Sequence, residues 1–265
     1  MFDKVLIANR GEIAVRIART LKTMGVASVA VYSDADRNSL HVTAADEAVA
    51  LGGKAPSESY LRGDKVIDAA RATGAQAVIP GYGFLSENTA FADDCAKAGL
   101  VFVGPTPEQI RRFGLKHEAR ALAEAAGVPL TPGTGLLANL DEAVAHATRL
   151  GYPLMLKSTA GGGGIGLTRC DNEAALVAAF ETVQRQGQNF FSDSGVFLER
   201  YVENARHVEV QIFGDGKGRV VALGERDCSL QRRNQKVVEE TPAPNLPPAT
   251  RTALLDAAVR LGESV

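Results

Sequence analysis

Residues 4–25 read KVLIANRGEIAVRIARTLKTMG. The run KVLIAN is short and apolar, as a buried strand should be, and RGEIAVRIARTLKTMG then carries apolar residues at helical spacing up to Gly25. A strand passing through a tight turn into a helix is the unit from which parallel sheets are built. The turn is NRGE rather than G-x-G-x-x-G, so the usual dinucleotide fingerprint is absent and hydride transfer loses its main support. Gly11 suits either a plain strand–helix connection or a place where a ligand approaches the helix amino-terminus.

Working outward, the alternation continues for a hundred residues. ASVAVYS and EAVAL read as strands, DKVIDAARATG as a helix, AQAVIP as a strand, NTAFADDCAKAG as a helix and LVFVG as a strand. This predicts a parallel sheet with helices on both faces. From about Lys116 the pattern changes. Helix LKHEARALAEAAG, turn-rich PLTPGTG, helix LDEAVAHATRLG, strand YPLMLKS, loop AGGGGIG, strand LTRC, helix DNEAALVAAFETVQRQG and strand GVFLERYV predict a compact α+β unit. Beyond Glu203, RHVEVQIFGDGKGRVVALGERDC reads as a hairpin around a glycine-rich turn.

Composition narrows the class. The 265 residues are 45 % hydrophobic and carry 29 basic against 31 acidic side chains, a net charge of −2. Such a balance gives nucleic acid no basic surface, and no like-charge block forms a tail. Cys95, Cys170 and Cys228 fit neither a zinc spacing nor a disulfide framework, so a reducing cytoplasm is expected. The opening MFDKVLIANRGE lacks the apolar core of a signal peptide, and no stretch approaches the roughly 18 apolar residues of a membrane span. The final PPATRTALLDAAVRLGESV starts as a helix and reaches the last residue without a stop signal, which predicts a chain cut within a larger protein.

Three stretches carry chemistry. Lys157 ends a strand and is followed by Gly161, Gly162, Gly163, Gly164 and Gly166. Four consecutive glycines cost backbone entropy, and a loop whose N–H groups wrap phosphates explains them better than a mobile connection beside a surface lysine. His207, Glu209 and Gln211 alternate with Val208, Val210 and Ile212, which places three polar groups on one strand face. That face suits a convergent site or plain solvent exposure equally. The stretch from Glu225 to Glu240, ERDCSLQRRNQKVVEE, reads as a charged loop, either an anion site or a solvated connection. Cys228 reads as a packing residue, since no base stands beside it. His41, His117 and His146 stand alone, and no pair of carboxylates for a magnesium–nucleotide site is evident.

Taken together, KVLIANRGEIAVRIART, IPGYGFLSEN, VFVGP, LKSTAGGGGIG, FLERYVENARHVEVQ and GERDCSLQRRNQKVVEETPAP resemble the biotin carboxylase family along the whole chain. The resemblance implies an α/β, ATP-grasp architecture. A Rossmann-like domain would occupy residues 1–113, a linker and ATP-grasp lid 114–203, and an incomplete start of the carboxy-terminal lobe 204–265. It implies that Lys116 and Lys157 contact nucleotide phosphates and that Gly161 to Gly166 form the closing loop. Glu199 would read adenine by its carboxylate and Val202 by its backbone, with His207 and Gln231 near the ribose. Lys236 would stand at bicarbonate as the catalytic lysine. The family commonly has histidine where this chain has Asn234, a neutral amide to which no acid–base work is assigned.

That asparagine, with LKSTAGGGGIGL, FGLKHEAR and EETPAP, resembles the urea carboxylase branch more than the acyl-CoA or pyruvate branches. The implied reaction is carboxylation of biotin by ATP and bicarbonate through carboxyphosphate. Urea or guanidine would be the final acceptor, with biotin on a separate carrier domain beside a carboxyltransferase domain. Magnesium ligands are expected beyond residue 265, so the chain alone is expected to be inactive, and the intact enzyme to dimerise. A non-catalytic nucleotide-binding module and another ATP-grasp ligase are the competing readings.

Overall fold

A computed structural model describes residues 1–159, 166–191, 193–232 and 235–265. The chain divides into two units, Met1–Arg112 and Phe113–Val265.

The first unit runs β1 (Lys4–Ile7), α1 (Gly11–Thr23), β2 (Ala27–Tyr32), α2 (Leu40–Ala44), β3 (Glu47–Ala50), α3 (Gly63–Thr73), β4 (Ala77–Ile79), α4 (Thr89–Lys97) and β5 (Val101–Phe102). Then α5 (Pro107–Gly114) leads along the chain into the second unit. The strands form one parallel sheet in the order β3-β2-β1-β4-β5. After Lys4, strand β1 is apolar because its residues feed two cores. Leu6 packs with Val29, Val31, Val66 and Phe91 on one face, whereas Val5 and Ile7 pack with Ala14, Ile17 and Leu21 of α1 on the other. The strand–helix alternation predicted from the sequence is therefore present. Helices α2 and α5 were not predicted: α2 is only five residues long, and α5 buries only Ile110, too little for a readable period.

A polar knot sits beyond the carboxyl ends of β1 and β2. Asp36 is buried and receives two hydrogen bonds from Arg10 (2.6 and 2.7 Å), one from the Tyr60 hydroxyl (2.7 Å) and one from Ser33 (3.1 Å). These donors hold the Asp36 carboxyl far below the usual range, the Arg10 hydrogen bonds most of all.

The second unit runs α6 (Lys116–Ala125), α7 (Leu140–Leu150), β6 (Leu154–Ser158), β7 (Leu167–Cys170), α8 (Glu173–Phe191), β8 (Val196–Arg200), β9 (Val208–Gly214), β10 (Val220–Arg232), β11 (Gln235–Glu240) and α9 (Pro248–Glu263). Two antiparallel sheets result, β7-β6-β8 and β11-β10-β9. In the first, Leu154, Leu156, Val196 and Leu198 bury one face against Ala143 and Ala147 of α7 and Leu176, Phe180 and Val183 of α8. In the second, Ile212 and Val220 meet α9 so closely that a Cβ at Gly262 would stand 2.9 Å from Val220.

The stretch 225–240 is not the single charged loop its composition suggested. It comprises the end of β10 and all of β11, paired through Asp227↔Glu240, Leu230↔Val238 and Gln231↔Lys236. Oppositely charged cross-strand partners, such as Arg226 against Glu209, support such a ladder without any apolar run. Among the described residues no helix is long and apolar enough to cross a membrane.

Candidate active site

Alternation along β6 sends Leu154 and Leu156 to the helix-covered face and leaves Met155 and Lys157 on the other. Antiparallel pairing sets Met155 opposite Glu199 and Lys157 opposite Phe197, so Lys157 and Glu199 are diagonal neighbours on that second face. The Lys157 ammonium donates to Glu199 Oε2. Lys116 opens α6; its backbone N–H donates to Thr159 O (3.1 Å) and its ammonium to Ser158 O (3.4 Å). Burial lowers the Lys116 pKa, and the nearby Lys157 charge lowers it further against the opposing pull of Glu199. Two lysines far apart in sequence thus share one small region with the Glu199 carboxylate.

A third cation was missed. Arg120 donates through Nη1 to Glu199 Oε1 and through Nη2 to Thr131 O at 2.9 Å. The signal was available, because Arg120 lies four residues after Lys116 on the same helix and therefore on the same face.

Gly166 closes the described end of the glycine-rich stretch. Its φ is +72°, its carbonyl accepts from Ser158 N at 2.8 Å, and a Cβ there would stand 2.8 Å from Ser158 Cβ. Gly161, Gly162, Gly163, Gly164 and Asn234 lie outside the described residues. Val202 lies two residues past β8, with its side chain exposed.

The second group gathers on the β9–β11 sheet. Glu209 receives hydrogen bonds from Arg226 and Lys236, and Arg226 also reaches Gln211 Oε1 at 3.3 Å. Gln231 Nε2 lies 3.3 Å from His207 Nδ1 and donates to Cys228 O at 2.9 Å. Two polar residues of β9, Glu209 and Gln211, are therefore linked through Arg226. Arg226 and Glu239, which lies 3.1 Å from it, were not singled out from the sequence. Burial alone would raise the Glu209 carboxyl, but the hydrogen bonds from Lys236 and Arg226 outweigh it and hold the group below its ordinary value. Reciprocally, the hydrogen bond to Glu209 raises the Lys236 pKa and keeps that ammonium charged.

Among the described residues, Glu209, Cys228 and Glu239 bring one ligand atom each within 4.8 Å of the others. The set does not fit magnesium, which demands hard oxygen ligands. Both carboxylates are already paired with Arg226 and Lys236, and burial raises the Cys228 thiol pKa, keeping it protonated.

In the first unit the sheet order reverses at β1 and β4, and a crevice of about 400 Å³ lies there between Asn9–Ile13 and Tyr82–Phe84. Gly11, at φ +65°, turns the chain into α1 at its edge.

Both halves of the chain match known families. Residues 1–110 match the family described as "Biotin carboxylase, N-terminal domain", and residues 116–265 match "Carbamoyl-phosphate synthase L chain, ATP binding domain". The chain belongs to the biotin carboxylase family. It is 63 % identical over 261 residues to a urea amidolyase of Lachancea kluyveri, covering 98 % of this chain and 14 % of that protein. It is also similar to the solved biotin carboxylase–β-γ-ATP complex of Campylobacter jejuni (TM-score 0.96, 43 % identity), covering 100 % of this chain and 59 % of that one. The biotin carboxylase domain of Hydrogenobacter thermophilus 2-oxoglutarate carboxylase, solved with MgADP and bicarbonate, is similar at TM-score 0.93 and 43 % identity, with 99 % and 58 % covered. The α/β architecture, with its parallel sheet and two antiparallel sheets, is thus that of biotin carboxylases and the ATP-grasp fold. The chain spans 14 % of the urea amidolyase and little more than half of the two solved chains.

Proposed function

We propose that this chain supplies nucleotide- and bicarbonate-binding groups of a biotin carboxylase, working in the first half-reaction of a urea carboxylase. The observation that carries the reading is the convergence of Lys116, Lys157 and Glu199. Two ammonium groups beside one carboxylate suit a ligand that is a polyanion at one end and an amino-substituted ring at the other. In this reading Lys116 and Lys157 hold ATP phosphates, and Gly161–Gly164 with Gly166 close over them. Glu199 and the Val202 backbone bind the adenine, and His207 with Gln231 borders the ribose.

Lys236 faces bicarbonate. A bicarbonate oxygen attacks the γ-phosphorus, the bond to the ADP oxygen breaks, and carboxyphosphate forms. Its collapse yields carbon dioxide and phosphate. Protein groups contribute charge and position, which dominate such transfers. Lys236, kept protonated by Glu209, offsets the charge of the attacking anion. Biotin, when presented by its carrier domain, supplies the ureido nitrogen that accepts the carboxyl group, and no residue described here is assigned to it. Magnesium has no fitting ligand set among the described residues. In the same reading residues 114–203 form the linker and lid, and 204–265 begin the carboxy-terminal lobe. Urea as final acceptor is supported by the 63 % identity to a urea amidolyase, and acyl-CoA or pyruvate carboxylases remain the second reading.

Calorimetric titration of ATP, with Lys157→Ala as the control, tests the nucleotide site. Binding that disappears in the variant supports the assignment. Equal binding by both would remove Lys157 from the site.

A further inference from the structure

Glu199 divides its two carboxylate oxygens between two cations. Oε1 accepts from Arg120 and Oε2 from Lys157. The Glu199 side chain is only 14 % exposed and that of Arg120 18 %, so this is a mostly desolvated arrangement rather than a surface pair. Arg120 is held from a second side by Thr131 O.

The surrounding backbone is shaped to this pair. Gly133 bridges Glu199 in an isolated antiparallel contact. A Cβ at Gly133 would stand 3.0 Å from Arg120 Nη2, 3.1 Å from Glu199 Cγ and 2.6 Å from Leu198 O. Any larger residue would therefore push the guanidinium or the carboxylate away.

We infer that Arg120 is a positioning residue for the nucleotide site: it fixes Glu199 through one oxygen so that Lys157 can leave the other for phosphate. The inference rests on the nucleotide reading given above. Without Arg120, a departing Lys157 would strand a partly buried carboxylate with no charged partner, which is costly. Glu199 would then hold Lys157, and each arriving phosphate would compete with it. With Arg120 in place Glu199 keeps one charged hydrogen bond, and Oε2 is freed as an acceptor for the amino group of the adenine ring.

The test is calorimetric titration of ATP into the unsubstituted chain, Arg120→Met, Arg120→Lys, Glu199→Gln and the double variant Arg120→Met/Glu199→Gln. Arg120 borders a cavity of about 350 Å³ between α6 and residues 130–135, so methionine extends an existing space instead of opening a void in the core. Circular dichroism melting verifies folding in each case. Arg120→Met is expected to weaken ATP binding by about tenfold or more, the scale of a lost charged hydrogen bond. Lysine should recover part of that loss. In the Glu199→Gln background the same substitution should change little, because no carboxylate remains to be positioned. Unchanged affinity in Arg120→Met, or an equal loss with glutamine at 199, would overturn the inference while leaving the nucleotide site standing. Absence of ATP binding by the unsubstituted chain would remove the nucleotide reading and the inference with it.

Discussion

Gly187, deep in α8, lies so close to Ser158 that a Cβ on the glycine would stand 2.5 Å from the serine Oγ and 2.4 Å from Asp193 O. Ser158 is the last residue of β6, immediately beyond Lys157, so the helix glycine sets how near α8 comes to the lysine's strand. A glycine inside a helix costs about 1 kcal/mol relative to alanine, and this contact is the return.

Gly187→Ala should therefore destabilise the protein by about 1–3 kcal/mol despite its better helix propensity. Urea unfolding measures this. Gly114→Ala, where a Cβ would meet nothing within 4 Å, is the control and should be neutral or slightly stabilising. Equal effects at both sites would contradict the packing argument.

Asp36→Asn should cost about 1–3 kcal/mol, since five donors, the Ser39 hydroxyl among them, lose a charged acceptor. The pH dependence has a definite sign. The folded carboxyl is depressed, so its stabilisation is complete above the ordinary carboxylate pKa of about 4 and is lost as pH falls below it. Unfolding midpoints measured from pH 6 to pH 2 should fall less steeply in the variant than in the unsubstituted chain.

His41 gives a second, separate pH window. It is buried, with Nε2 3.2 Å from Val31 O, and burial lowers its pKa, with Asp36 favouring and Arg10 opposing the charged form. The unfolded chain therefore takes up this proton first as pH falls. Stability contributed by neutral His41 is full above about 6.5 and declines below it. His41→Gln should flatten the stability profile as pH falls below about 6.5. A profile that keeps its slope would assign that slope to another group.

Glu209→Gln should return the Lys236 pKa downward toward its ordinary value, because the hydrogen bond from Lys236 to Glu209 is the chief cause of its elevation. Carbon-labelled lysine side chains followed by NMR titration report this directly, without turnover. No movement would mean that Arg226 alone holds Glu209 in solution.

The sequence disclosed some of the site and withheld the rest for a reason of distance. Lys157 could be seen because the glycines that give it meaning adjoin it. His207, Glu209 and Gln211 could be placed on one face because strand alternation is local, yet that alternation could not say whether the face converged or merely met water. Arg226, arriving from the neighbouring strand, ties Glu209 to Gln211, a link written nowhere in β9 itself. Arg120 carried a legible hint in its four-residue spacing from Lys116, but its partner Glu199 is 79 residues away.

What the sequence determined by itself was most of the order of elements: a strand–helix alternation feeding a parallel sheet, then a mixed unit, a hairpin and a final helix. Local apolar period and turn residues suffice for that, because each element's pattern is written within a dozen residues. Tertiary structure alone decided which charges neutralise which. Lys116, Arg120, Lys157 and Glu199 come from three elements, and only the register of β6 against β8 and the packing of α6 bring their charged ends together. Coulombic and hydrogen-bond energies depend on separations of a few ångströms, and separation in the chain carries no record of them.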